Sequence, residues 1–226
     1  MLDGSTASTV ITRLRERGRA FGCNDNIADC LEPGDLDLIE ADVAYHLEEA
    51  LWALVIDTRN DPNMKDTAQR VARMLVREAF AGRYAPPPRI TDFPNAKNLD
   101  EIYTVGPITI RATCAHHLLP IMGQAWVGVI PTERIIGLSK FSRLAAWVLA
   151  RPHIQEEAVV QLADTIEALI KPNALGVVIR AEHQCMTFRG VKDQGTSMVT
   201  SVMRGMFRDS AEARAELFAL LRGLGF

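Results

Sequence analysis

The sequence predicts an α+β protein, a helical N-terminal region followed by strands and helices in the order strand, strand, helix, helix, strand. Three observations carry this. From Asp35 to about Ile56 the apolar residues Ile39, Val43, Leu47, Leu51 and Leu54 recur at helical spacing. From Thr104 to Cys114 the period is two, with Ile108, Ile110, Ala112 and Cys114 on one side and Thr109, Arg111 and Thr113 on the other. Between these stretches the run Ala85-Pro-Pro-Pro88 interrupts both patterns.

Taken in order, residues 1–33 mix polar, charged and small residues with little periodicity and end at Pro33-Gly34, so a loosely held extension is expected. Residues 34–99 make a helical N-terminal region and linker. Its second helix runs from Asp66 to about Phe80, where Asp66-Thr67-Ala68-Gln69 resembles a capping box and Val71, Met74 and Leu75 form the apolar face. Residues 100–226 form the main domain. After the alternating strand, Gln124 to Pro131 is a second one, Ser139 is placed to cap a helix running to Ala150, and Pro152 opens another. In that helix Val159, Leu162, Ala163, Ile166, Leu169 and Ile170 make one stripe, ending near Pro172. Gly176 to Phe188 reads as strand, with Val177, Ile179, Ala181, His183 and Cys185 on one face. A further strand spans Thr196 to Met203, and Asp209 or Ser210 begins a terminal helix through Leu221.

At 226 residues the chain is long enough for one large domain with a helical extension. No apolar run approaches the ~20 residues that cross a bilayer. Arg13, Arg15, Glu16 and Arg17 leave no apolar core for a signal peptide, so a cytoplasmic location is expected. A formal net charge of −3 argues against a broad nucleic-acid-binding surface, and any anion site must be a local cluster. Four cysteines in a chain this long do not make a disulfide scaffold. Cys23 and Cys30 sit in a segment without histidines and read as ordinary thiols.

The chemistry concentrates in two short stretches, Cys114-Ala115-His116-His117 and His183-Gln184-Cys185. Two cysteines and a histidine suit zinc, and three protein ligands leave a fourth position for water or substrate, as in a catalytic site. Cys114 and His117 are separated by two residues, which lets one turn aim sulfur and nitrogen at a shared metal. The chain therefore looks like a hydrolytic metalloenzyme.

With these residues in view, the chain resembles the GTP cyclohydrolase I family, whose signature is Cys-Glu-His-His and a later His-x-Cys followed, after three intervening residues, by Arg-Gly. The likeness runs from about Asp66 to Phe218. It includes Gly137-Leu-Ser139-Lys140-Phe-Ser-Arg143, Arg151-Pro-His-Ile-Gln155-Glu156, Thr200-Ser201 and Gly205-Met-Phe207. The resemblance implies the tunnelling fold, antiparallel sheets backed by helices and joined in a ring-shaped homo-oligomer with active sites between subunits. It implies Zn2+ held by Cys114, His117 and Cys185, hydrolysis of GTP at guanine C8 with formate release, and rearrangement to 7,8-dihydroneopterin triphosphate.

His116 and His183 would then transfer protons, a role that suits an imidazole with an ordinary pKa of ~6.5. Ser139 would stand near the sugar. Glu156 matches the guanine anchor, accepting from N1–H and the exocyclic amine, and Gln155 would help position base or sugar. Lys140, Arg143 and Arg189 would hold the triphosphate, joined by Arg70 and Arg73 reaching a neighbouring subunit's pocket. Two positions depart from the family. Ala115 stands where it has Glu, and Ala68 where it has Pro. The first removes a carboxylate beside the metal, which leaves open a divergent member that stops at a formamidopyrimidine or takes another guanine nucleotide. A non-catalytic guanine-nucleotide-binding module with structural zinc is the rival from another class.

Overall fold

The computed structural model describes residues 6–226, which divide into two compact units, one ending at Pro86 and the other spanning Pro87–Phe226. In the first, α1 (Thr6–Glu16) and a 3-10 turn (Ala28–Cys30) precede α2 (Asp35–Ala53). The helix α3 (Thr67–Met74) continues through a wider π turn (Leu75–Ala79) into the short α4 (Ala81–Tyr84). Where a loosely held extension was expected, Val10 and Leu14 of α1 are buried against Ile27, Cys30, Ile39 and Val76. Val10 and Leu14 stand one helical turn apart, too short an apolar stripe to show as periodicity but enough to close a small core.

One local expectation for this unit fails for a backbone reason. Asp66 lies in the left-handed region at φ 61° and its side chain makes no cap hydrogen bond, so the capping box does not form. The helix α2 starts after Gly34, which supplies a φ of 94° that a side chain would resist.

The second unit is built on a five-stranded sheet. Its elements are β1 (Asp92–Pro94), β2 (Tyr103–Cys114), β3 (Pro120–Ile130), β4 (Arg134–Ile136), α5 (Leu138–Leu149), β5 (Pro152–His153), α6 (Gln155–Ile170), β6 (Ala174–His183), α7 (Gln184–Thr187), β7 (Met198–Gly205), α8 (Met206–Asp209) and α9 (Ala211–Gly223). The sheet order is β5-β2-β3-β6-β7, and β1 pairs separately with β4. Every pairing in the large sheet is antiparallel except β2 with β5, which is parallel. The sheet is therefore mixed, where an antiparallel one was expected. Pro152 does not open a helix; Pro152 and His153 lie alongside Thr113 and Cys114, and α6 begins at Gln155.

Both faces of the sheet are covered. Ile108, Ile110, Val127, Val129, Val177 and Ile179 meet α5 and α6, whose Phe141, Leu144, Ala145, Val148, Leu162, Ala163 and Ile166 fall at helical spacing. On the other face Trp126, Ile130 and Val178 pack against Phe207, Leu217 and Leu221 of α8 and α9. Close approach there depends on two glycines, because a Cβ added at Gly128 or Gly176 would stand 2.1 or 2.5 Å from a Leu217 methyl. Double coverage explains why Ala125 to Ile130 is buried without alternation. Leu169, assigned from sequence to the α6 stripe, is instead 37% exposed.

Ser210 caps α9, its hydroxyl accepting from the Ala213 amide at 3.1 Å. Ser139 does not cap α5. The N-cap position belongs to Gly137 and the helix starts at Leu138. No helix among the described residues is long and apolar enough to cross a membrane.

Candidate active site

The site is assembled where β2, β5 and β6 end. Cys114 is the last residue of β2, and the turn after it is closed by the Leu118 amide on the Cys114 carbonyl at 2.9 Å and the Cys114 amide on the Leu119 carbonyl at 2.8 Å. Leu118 takes φ 54° to make that reversal. The turn brings the His117 ring back toward its own strand, with Nδ1 4.0 Å from Cys114 Sγ.

The second half arrives from β6, which lies two strands away with β3 between. Strand alternation was expected to carry Cys185 onto the same face as His183. Instead β6 ends at His183, and Cys185 is presented by the single turn α7. The result is the juxtaposition the sequence suggested by a different route: the donor atoms of Cys114, His117 and Cys185 lie within 4.8 Å of one another. Two sulfurs and one imidazole nitrogen form a soft, borderline donor set that fits zinc better than magnesium or calcium. Burial pushes the Cys185 thiol pKa up, and the adjacent Cys114 thiol adds to this, while Arg189 pulls the other way. Two adjacent thiols oppose joint ionisation, and a cation between them is what relieves that.

Two histidines lie beside this group without joining it. His116 is exposed, its ring centroid 6.3 Å from that of His117. His183 is half-buried, and its Nε2 lies 2.8 Å from Gln155 Oε1. Burial lowers the His183 pKa, and the nearby Glu156 carboxylate opposes that shift. Glu156 is exposed in the first turn of α6. Its neighbour Gln155 is 2% exposed, and its amide nitrogen is taken by the Ile179 and Met198 carbonyls and the Thr200 hydroxyl, each at 3.1 Å.

Ser139 and Lys140 stand in the first turn of α5, Arg143 follows on the same helix, and Arg189 lies just after α7. Ser139, Arg143 and Arg189 are exposed and Lys140 is half-buried. None of the three cations enters an ion pair found among the described residues, whereas Arg13, Arg19, Arg77, Arg134 and Arg204 all do. Arg70 and Arg73 belong to the other unit, exposed on α3, where Arg70 donates to the Lys65 carbonyl at 2.7 Å.

His153 escaped the sequence reading. It is fully buried and register-paired with Cys114, and its carbonyl accepts from the Ala115 amide at 2.9 Å. Its Nε2–H donates to the Val148 carbonyl at 2.8 Å, and burial depresses its pKa, so the ring is a buried strut behind Cys114. Its place inside the Arg151-to-Glu156 motif was the only sequence signal.

The family model described as GTP cyclohydrolase I matches residues 43–222. Among curated proteins, the chain is 37% identical over 181 residues to GTP cyclohydrolase 1 of Enterobacter sp. (strain 638), covering 80% of this chain and 81% of that one. It is 33% identical over 219 residues to GTP cyclohydrolase 1 of Erwinia tasmaniensis, covering 96% and 99%. To the same enzyme of Edwardsiella ictaluri it is 36% identical over 192 residues, covering 84% and 87%. A solved structure of the archaeosine synthase QueF-Like in the apo form aligns at TM-score 0.36 and 13% identity, covering 54% of this chain and 96% of that one, too distant to bear on the site. The chain belongs to the GTP cyclohydrolase I family and is an enzyme of that type.

Proposed function

We propose that this enzyme hydrolyses GTP at guanine C8, releases formate and yields 7,8-dihydroneopterin triphosphate, using zinc held by Cys114, His117 and Cys185. The observation that carries this reading is the three-donor group within 4.8 Å, flanked by His116 and His183, which a purely structural metal site would not need. When bound, zinc supplies Lewis acidity and makes water a nucleophile near neutral pH.

The chain's own side chains do the rest. Glu156 selects guanine by accepting from N1–H and the exocyclic amine, a pair of donors that adenine lacks at those positions. His183, kept neutral by burial, takes and returns protons as the imidazole ring opens and formate leaves, and His116 serves the exposed side. Ser139 contacts the ribose, and Lys140, Arg143 and Arg189 hold the triphosphate. The working assembly is a ring-shaped homo-oligomer of tunnelling-fold subunits in which Arg70 and Arg73 complete a neighbour's triphosphate pocket. Family membership supports this arrangement, as does the exposure of both arginines.

Incubation with GTP followed by ultraviolet absorbance and mass spectrometry tests the reaction. A pterin spectrum with the triphosphate product and one formate is the expected outcome. A formamidopyrimidine mass would replace the product assignment, and unchanged GTP would sink the reading. Ala115 sets the expected pace. Without a carboxylate beside the ligands turnover should be slow, and Ala115→Glu should raise it by up to ~10-fold with zinc content unchanged.

A further inference from the structure

Gln155 was placed by family resemblance among the residues that position base or sugar, yet its side chain is 2% exposed and its polar atoms are spent inside the protein. The orientation of its amide is fixed by its partners. The Ile179 and Met198 carbonyls can only accept, so the group facing them at 3.1 Å is the NH2, which Thr200 Oγ1 also approaches at 3.1 Å. The carbonyl Oε1 is therefore the atom turned to His183, 2.8 Å from its Nε2. An oxygen with no hydrogen in such a contact requires one on the ring nitrogen. No partner for His183 Nδ1 is found among the described residues.

We propose that Gln155 is a positioning residue that holds the His183 ring with its Nε2–H on the Gln155 carbonyl, so that the Nδ1 side is the one turned to the substrate. Three elements converge to do this. The Ile179 carbonyl belongs to β6, Met198 and Thr200 to β7, and Gln155 opens α6. The register of β6 with β7 is thereby transmitted through one amide to one imidazole. Thr200, in a motif to which the sequence reading gave no role, acquires one as part of the acceptor set. An imidazole free to exchange tautomers would present the wrong nitrogen part of the time, and one free to rotate would lose the alignment that proton transfer needs. The proposal rests on reading His183 as a proton-transfer group, and its test separates the two.

The zinc-loaded protein labelled with 15N-histidine is examined by NMR at about pH 8, above the ordinary imidazole pKa. With five histidines in the chain, the His183 signals are assigned by their loss in His183→Ala. The expected pattern is a neutral ring protonated at Nε2. A ring protonated at Nδ1, or an even mixture of tautomers, overturns the proposal whatever the kinetics. In Gln155→Met, near-isosteric but unable to accept, the tautomers should mix and kcat should fall on the order of 10- to 100-fold, with zinc content kept and KM within about threefold. A raised KM with unchanged kcat would place Gln155 on the substrate and overturn it. Thr200→Val trims the same network without touching Oε1 and should keep the Nε2–H tautomer while lowering kcat less; a fall in kcat as large as that of Gln155→Met with the tautomer kept would show that Thr200 acts otherwise than through the amide and overturn its part in the proposal. If His183→Ala turns over normally while the wild-type ring is Nε2–H, the proton-transfer reading fails and the structural assignment stands.

Discussion

The two units of this chain are held together by different means. Up to Pro86 a small apolar core is surrounded by guanidinium groups: Arg13 reaches the Cys30 carbonyl, Asp35 and Glu32, Arg77 pairs with Asp37 and Glu40, and Arg83 donates to the carbonyls of Phe21, Gly22, Cys23 and Asp25. From Pro87 onward a sheet is covered on both faces by helices, and its interior holds large fully buried side chains such as Trp126, Phe141, Leu162 and Ile179. Metal ligation and proton transfer require side chains placed within about half an ångström, which a doubly covered sheet supplies. All three metal-ligand candidates and both candidate proton-transfer histidines belong to that second unit. The first unit offers charge, in Arg70 and Arg73, whose proposed contact with a phosphate would tolerate looser placement.

The largest effect that could break this division comes from the metal group itself. Cys185→Ser replaces a soft thiolate with a hydroxyl, and zinc content and activity should fall together, activity by on the order of 10³ or more. Cys23→Ser, an exposed cysteine of the first unit, should change neither. Loss of metal from the Cys23 variant by elemental analysis would move a ligand across the boundary.

Next in size is specificity. Glu156→Ala should lower kcat/KM for GTP on the order of 100-fold or more and reduce the preference for guanine over adenine nucleotides, because two hydrogen bonds to a charged group disappear. Wild-type GTP kinetics in that variant would remove the anchor from the sheet unit.

Arg70→Ala tests the first unit's share. KM for GTP should rise about 10-fold with zinc unaffected, as expected when one charge-assisted phosphate contact is lost. Assayed at GTP well below KM and mixed with His183→Ala chains, it should regain full activity at about a quarter of the sites in an equal random assembly, since those sites would combine an intact His183 with a neighbour's intact Arg70. No recovery would confine the whole site to one subunit.

What the sequence disclosed follows the same division of forces. Strand β2 and helix α6 were legible because burial imposes period two or 3.6 on them, and the ligand group because cysteine and histidine clusters are rare. The two-residue β5 was not, because its register against Thr113 and Cys114 is a long-range fact that Pro152 disguises as a helix start. Cys185 was assigned to the right place by the wrong route, since alternation cannot reveal that a strand ends in a helical turn. His153 and the amide of Gln155 were invisible for a similar reason: their roles come from backbone carbonyls brought near by packing, and carbonyls leave no mark in a sequence. In the first unit α1 was missed because two apolar residues do not make a pattern, although they suffice when arginines close the surface around them.

The smallest expected effect asks whether those arginines matter. Asp35 is 8% exposed, accepts from the Glu32 amide at 2.7 Å and pairs with Arg13, whose side chain is itself 14% exposed. Burial alone would raise its pKa, but the Glu32 amide and the Arg13 guanidinium outweigh it and hold the carboxyl below the ordinary value of 3.8. A depressed carboxylate pKa means the unfolded state binds the proton more readily, so the contribution is present above about pH 4 and is lost as pH falls from there through the folded-state value. Asp35→Asn keeps the size and removes the charge. It should destabilise the first unit by about 1–3 kcal/mol at neutral pH, since Arg13 is left with a weaker partner. The same substitution should flatten that unit's acid sensitivity below about pH 4. Hydrogen exchange resolved by peptide is the measurement, with faster exchange expected in α1 and α2 and unchanged protection in β3 and β6. Equal loosening of the sheet strands would show that the two units unfold as one, and that the arginine-fastened half contributes stability to the catalytic half as well as charge.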